Sequence, residues 1–403
     1  MRKGLSVAIA GLVCAGTLAV IGPTSVAEAS SGYPPIPNGP ITFGVSTPTS
    51  GAQASYGIFT KLGVTEALKA FDAEYPNGID GHQVKVQILN DASDVTQAVQ
   101  VANQLVADKD AAVITVSYNP AADAQQLAVF TKAKMPVVAN LSGLQYSDTK
   151  TYPYLFSPNS SIQQYVLAST QWMKKKGFTK VAMLNDGIAT DVAVQNEMLK
   201  DMKTEAPQAK VVASTTITPG SVDDSAAITK LKAAKPDLLV VNAGVSYGPI
   251  WNAIQGANWS PTILTSAGAW YDGFSAMGPL QAKASAYYYN CANSTAQTFS
   301  ASQQALMASY AAATSNAVTN YLTFIATDSI PLEMLHYAIT KYHSIDPAAI
   351  KKAIEGIHNQ TFLGFTYNFS STNHYGLIGQ FGAATCLMAP PYAGGVGKVP
   401  IKS

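Results

Sequence analysis

Charged residues are scarce in this chain. Aspartate, glutamate, lysine and arginine make up 12% of its 403 residues, with a net charge of +1, against about 25% charged in typical soluble domains. Without a stripe of lysine or arginine there is no footprint for a phosphate backbone, which excludes nucleic acid as a partner. Cysteine is nearly missing, with three in all. Cys14 lies in an N-terminal apolar run. Cys291 and Cys386 could pair in an oxidising compartment or stay apart, since sequence separation says nothing about distance in space. The five histidines, His82, His336, His343, His358 and His374, are scattered with no i, i+4 pair. Neither they nor two lone thiols make a metal site. Gly394-Gly395-Val396-Gly397-Lys398 lacks the spacing of a phosphate loop. No metal and no cofactor is expected. Beyond the N-terminus, no stretch approaches the roughly 20 apolar residues a membrane span needs.

At the N-terminus there is a targeting pattern. Arg2 and Lys3 precede an apolar run from Leu5 to Ile21, and Ala27-Glu28-Ala29 offers small residues for cleavage. Residues 1–29 read as a secretory signal peptide. Val13 stands before Cys14 where a lipidation site has a small residue, which argues against a lipid anchor there. The mature chain is expected outside the cytoplasm: secreted, periplasmic or associated with the cell envelope. Its length, about 370 residues, is too great for one core and implies two domains.

From Ile41 onward strands and helices alternate. A strand, Ile41 to Ser46, leads through Pro48-Thr49-Ser50-Gly51-Ala52 into a helix entered at Ala54-Ser55-Tyr56-Gly57 and running from Ile58 to Tyr75. The turn Asn77-Gly78-Ile79-Asp80-Gly81-His82 precedes a second strand, Val84 to Asn90, which ends on Asp91. The next helix, Val95 to Ala107, carries apolar residues at Val95, Val99, Ala102 and Val106. Ala112 to Val116 is an unbroken apolar run, as a strand buried on both faces requires. Helix Ala121 to Lys132, strand Pro136 to Ala139 and an extended Tyr154 to Pro158 complete a first series. A second series repeats the layout: helix Ser161 to Lys176, strand Lys180 to Leu184, helix Val192 to Glu205 and strand Val211 to Ile217. It continues with helix Asp224 to Ala234, strand Asp237 to Val241, helix Pro249 to Ala257 and strand Thr262 to Thr265. Beyond a strand-like Ala284 to Tyr289 come helices at Ala301 to Ala313, Tyr321 to Lys341 and Pro347 to Ile357. Final extended runs lie at Phe362 to Phe369 and Gly379 to Leu387. The fold class is α/β, with two doubly wound parallel-sheet lobes.

The order strand, Pro48-Thr49-Ser50-Gly51-Ala52-Gln53-Ala54-Ser55-Tyr56-Gly57, helix, Asn77-Gly78-Ile79-Asp80-Gly81, strand, Asp91 resembles the opening of the type I periplasmic solute-binding proteins. The branch is that of the branched-chain amino-acid (leucine-binding-protein-like) receptors of ABC importers. Gly364 to Tyr367, followed by Asn373-His374-Tyr375-Gly376, resembles the C-terminal hairpin of the same family. The resemblance covers about residues 41 to 388. It implies two lobes joined by three crossovers, near Phe156, Tyr288 and Phe362. Lobe 1 would then be residues 41–156 and 288–360, and lobe 2 residues 157–287 and 361–388. The tail, residues 389–403, is expected to be flexible. The implied protein captures a small-molecule ligand, hands it to an ABC transporter permease, acts as a monomer and catalyses nothing.

Ligands of open α/β sheets bind outside the carboxyl ends of the strands. In lobe 1 that rule singles out Ser50, Tyr56, Tyr118, Asn119, Asn140, Leu141 and Ser142. In lobe 2 it singles out Asp186, Ile188, Asn242, Ser246, Tyr247, Trp270 and Tyr271. Asn140 and Asn242 could equally be helix caps. Aligned by strand and loop length, the positions that hold an amino acid's carboxylate in the resembled receptors fall at Pro120 and Gly143. The usual cleft tyrosines fall near Thr190 and Gly244, and the acid that receives the ammonium falls near Ala267. No acid occurs from Leu264 to Tyr271, and a buried ammonium without a counter-charge costs several kcal/mol. The expected ligand is therefore non-zwitterionic: aromatic, neutral, or a carboxylate held by Ser, Asn and backbone groups. Two alternatives stand beside this reading. Gly244-Val245-Ser246-Tyr247-Gly248 has the form of a nucleophile elbow, and with Asp272 or Asp328 and His374 it would make a secreted serine hydrolase. The separate βα series and the missing upstream His-Gly-Gly loop count against it. The other alternative is a ligand-sensing module.

Overall fold

The computed structural model describes residues 32–51, 53–159, 161–243, 247–265, 286–288, 308–309, 312, 321–363 and 365–377. Residues 1–29, Ser246, Trp270, Tyr271, Cys291, Cys386, the expected strand 379–387 and the tail 389–403 lie outside them, as does nearly all of the expected helix 301–313. Among the described residues, no helix is long and apolar enough to cross a membrane.

The first sheet is parallel, in the order β2-β1-β3-β4-β5: β1 (Ile41–Thr47), β2 (Val84–Asn90), β3 (Ala112–Thr115), β4 (Val137–Val138) and β5 (Leu155–Phe156). Helices α1 (Ala54–Glu74), α2 (Val95–Ala107) and α3 (Pro120–Ala133) make the crossovers. Period-2 alternation divides the strand side chains between two cores. Ile41, Phe43 and Val45 meet Val64 and Phe71 of α1, together with helix α8 (Tyr321–Tyr342) and helix α9 (Pro347–Glu355). On the opposite face Val113 and Val137 meet Leu105 of α2 and Phe130 of α3.

The second sheet repeats that order as β7-β6-β8-β9-β10: β6 (Lys180–Asn185), β7 (Lys210–Thr216), β8 (Leu238–Asn242), β9 (Ile263–Thr265) and β10 (Ala286–Tyr288). Val181 and Met183 pack on α4 (Ile162–Lys176) and α5 (Ala189–Glu205). Their neighbours Ala182 and Leu184 pack on α6 (Ser225–Ala233) and α7 (Tyr247–Gly256). Both sheets therefore reverse their winding next to their first strand, between β1 and β3 in one and between β6 and β8 in the other, and that reversal opens a crevice at the strands' carboxyl ends.

The chain passes from β5 into α4 through residues 157–161, and this link is pinned. Ser157 N donates to His374 O (2.8 Å), Gly376 N donates to Ser157 O (3.2 Å), and Ser157 Oγ donates to Leu141 O (2.7 Å). Tyr367 Oη donates to Pro158 O (3.1 Å), and Gln164 Nε2 of α4 donates to Leu377 O (2.6 Å).

Antiparallel strands β11 (His358–Phe362) and β12 (Phe365–Asn368) form a two-stranded sheet of their own. Phe362, Tyr367, Phe369 and Leu377 lie in the core of the first sheet. These four residues pack with the first sheet, while Leu377 O also accepts from Gln164 of α4. The packing there is aromatic: Tyr367 stacks on Phe369 with centroids 6.0 Å apart, Phe362 lies tilted against Tyr367, and Phe156 meets Phe369 edge-on.

Candidate functional site

A cavity of about 220 Å³ lies where the carboxyl ends of the two sheets meet, lined from both. From the first sheet, Gln53 and Tyr56 follow β1, Ser117 and Tyr118 follow β3, and Asn140 to Gly143 follow β4. From the second, Ile188, Thr190 and Asp191 follow β6, and Ala243 follows β8. Asn159 lines it from the link between them.

The loop after β1 is pressed against its surroundings. Gly51 has φ +84°, and a Cβ there would sit 1.9 Å from Ala92 O. A Cβ on Gly57 would sit 2.0 Å from Pro48 O. Only glycine permits this approach, and it sets the first turn of α1 so that Tyr56 stacks on Tyr118, with centroids 5.3 Å apart and an interplanar angle of 21°. Thr60 Oγ1 lies 2.6 Å from Tyr118 Oη and holds the second ring in place.

Asp91, which closes the opening pattern, is a structural hub beneath the cavity. It accepts from Ser46 Oγ (2.8 Å), Ser117 Oγ (3.2 Å) and Ser93 N (2.9 Å). Burial raises its carboxyl above the usual range, opposed by these hydrogen bonds. Gln126 Nε2 donates to Ser46 Oγ and Gln126 Oε1 accepts from Ser117 N, tying α3 to the same hub.

Two acids face the cavity, one from each sheet. Asp123, in the first turn of α3, is 4% exposed, and its Oδ1 has no hydrogen-bond partner. Burial pushes its carboxyl well above the usual range, and the charge of Asp91 adds to the effect. Asp191, in the first turn of α5, is 9% exposed. Burial again raises its carboxyl, helped by the charge of Asp186 and a hydrogen bond to it. Asn140 Oδ1 is likewise buried without a partner. The described lining residues include no lysine, arginine or histidine.

Of the residues singled out from sequence, Tyr56, Tyr118, Asn140, Leu141, Ser142 and Ile188 line the cavity. Ser50, exposed, accepts from Asn90 Nδ2 (2.8 Å) and is not in the lining. Asn119 is the N-cap of α3, accepting from Ala121 N (3.0 Å) and donating to Ser93 O (2.8 Å). Asp186 is buried, accepts from Ile188 N (3.1 Å), and stands behind Asp191. Asn242 is fully buried at the end of β8, with its neighbour Ala243 at the cavity. Tyr247 is core, stacked on Trp251 at 5.6 Å. Of the proposed hydrolase acids and base, Asp328 is buried. His374 lies on Phe156 at 4.1 Å, with Nε2 3.1 Å from Glu355. The aligned positions Pro120, Gly143 and Thr190 do line the cavity.

Sequence reasoning passed over Asp123 and Asp191. Each sits in the first turn of a helix, where an acid ordinarily reads as a partner of the helix dipole. Gln53, Gln145, Tyr146 and Asn159 also line the cavity and carried no signal beyond their place after a strand.

Comparison with known proteins adds a second line of observation. The model of a family described as "Periplasmic binding protein" matches residues 40–380. The Leu/Ile/Val-binding protein BraC3 of Rhizobium johnstonii is 26% identical over 225 residues, which are 54% of this chain and 58% of that protein. The chain thus spans little more than half the length of this curated relative. The isoleucine complex of the branched-chain amino acid transporter substrate-binding protein LivJ from Streptococcus pneumoniae superposes with a TM-score of 0.68. It is 25% identical, with 84% of this chain and 93% of that chain covered. A solute-binding protein of an ABC transporter from R. palustris, in complex with benzoate, superposes with a TM-score of 0.72, covering 90% of this chain and 97% of that one. At 16% identity it bears on the fold alone.

Proposed function

The chain belongs to the periplasmic binding protein family, whose members bind and do not catalyse, and from that premise we propose that it is an extracytoplasmic solute-binding protein of an ABC importer. It captures a small ligand between its two lobes and presents it to a transporter permease, acting as a monomer. The observation that carries this reading is the cavity itself: strand ends of both sheets contribute to one lining, so a ligand seated there bridges the lobes and favours their closed arrangement. The Ser157 link, hydrogen-bonded to residues 374 and 376, is one strand of the hinge.

The kind of ligand must be reconsidered. A non-zwitterionic solute was expected because Leu264 to Tyr271 lacks an acid. Most of that run lies outside the described residues, whereas Asp123 and Asp191 bring carboxyls to the cavity from other elements. The reason for excluding an ammonium group therefore falls away. The relatives named for leucine, isoleucine and valine, or solved with isoleucine or benzoate, supply the first compounds to try.

A thermal-shift screen over amino acids, amines and aromatic acids will find a ligand, and solution scattering tests what the ligand does. With saturating ligand the radius of gyration should fall as the lobes close. An unchanged radius with a ligand that demonstrably binds would overturn capture by closure.

A further inference from the structure

We propose that the cleft takes a small organic cation, a protonated amine held between Asp123 and Asp191 with its apolar body on the Tyr56–Tyr118 pair. This rests on the reading of the cleft as a solute site and names the class of solute.

The unpartnered buried atoms at the cavity, Asp123 Oδ1 and Asn140 Oδ1, are both acceptors. A buried acceptor left unpaired is costly. An ammonium supplies N–H donors to it, whereas a carboxylate ligand brings only more acceptors. Charge points the same way. Among the described lining residues two are acids and none is basic, so an anion would enter beside like charges with no counter-ion. The ionisable neighbours do not change this: Asp91 and Tyr146 lie by Asp123, and Asp186 and Tyr165 lie by Asp191. Both lining acids are held above their usual range by burial, and an adjacent cation would restore their ionised form. Three of the nearby hydroxyls are already engaged: Ser117 Oγ with Asp91, Tyr118 Oη with Thr60, Tyr146 Oη with Pro120 O. The stacked tyrosines add a face that attracts cations. Because one acid comes from each lobe, a cation between them also joins the lobes.

Three ligands sharing one ring separate the possibilities: benzylamine, benzyl alcohol and benzoate, with leucine as a zwitterion, each titrated calorimetrically into the full chain. Benzylamine should bind at least about tenfold more tightly than the other two ring compounds. Asp123→Asn and Asp191→Asn, each checked for wild-type melting, should weaken it roughly a hundredfold and weaken the uncharged benzyl alcohol far less. Benzyl alcohol or benzoate matching benzylamine in the wild type would overturn the proposal without recourse to variants. So would benzylamine binding that is indifferent to both substitutions. If leucine or benzoate binds and compacts the protein while benzylamine does not, the cation falls and solute capture stands. If none of the four binds and no screening hit compacts the chain, both readings fall.

Discussion

Glu333 on α8 is an acid whose burial has a consequence for stability. It accepts from Tyr75 Oη at 3.1 Å across the α1–α8 contact. Burial pushes its carboxyl up to about 7, with the charge of Glu74 adding and the tyrosine hydrogen bond opposing. The folded chain thus keeps a proton that the unfolded chain releases near pH 4.5. This contribution is complete below that pH and is lost as pH rises from 4.5 to about 7. Glu333→Gln keeps an acceptor for Tyr75 and removes the titration. The variant should match the wild type near pH 4 and exceed it by roughly 1–3 kcal/mol at pH 8. Urea unfolding at the two pH values checks this, and a gap that grows toward acid pH would refute it. The same physics hid Asp123 and Asp191 in the sequence. Nothing in the residue type distinguishes an acid that caps a helix in water from one sealed into a cavity.

At the scale of the element, the unit from β1 to α1 shows what close packing demands. Gly57→Ala would place a Cβ 2.0 Å from the Pro48 carbonyl oxygen, a backbone atom that cannot swing aside, so the loop or the helix must shift. The expected cost is about 1–3 kcal/mol, read as a lower urea midpoint with an unchanged slope. Because Tyr56 precedes Gly57, ligand affinity should weaken as well. Among the described residues most strands and helices were legible from periodicity and turn residues to within a few residues at each end, whereas β11 was not, since Phe362 to Phe369 read as one extended run. Helix α2 marks the limit. Val95, Val99, Ala102 and Val106 form an apolar stripe, yet the buried residues are Ala98, Val101, Ala102 and Leu105. Two overlapping stripes are apolar, and only the position of the sheet selects one. The β11–β12 hairpin is a similar case, since its aromatics announce burial without saying in which core.

For the whole molecule, the link between the sheets matters most. Tyr375 is buried, and its hydroxyl donates to Gly143 O (2.8 Å), which borders the cavity. Tyr375→Phe leaves that carbonyl with Tyr146 N as its remaining donor, at a cost of about 0.5–1.5 kcal/mol. The variant should unfold earlier and also bind ligand more weakly, because the loop after β4 loses one of its tethers, the others being Ser157 Oγ on Leu141 O and Ile162 N on Ser142 O. Equal loss of stability with unaltered affinity would show that the tether does not reach the site.

The sequence by itself determined the α/β class, the two repeated series and the rule that a ligand meets the strands' carboxyl ends. All of these follow from short-range periodicity and from backbone groups that every βα turn leaves free. Only the tertiary structure decided which side chains share the cavity. Asp123 and Asp191 lie on helices of different sheets, and Asn242, the last residue of β8, and Tyr247, which follows it, are buried although Ala243 between them lines the cavity. The physical reason is that burial and charge at a site are sums over elements distant in the chain. No local pattern encodes which carboxyl from a distant element will stand near another.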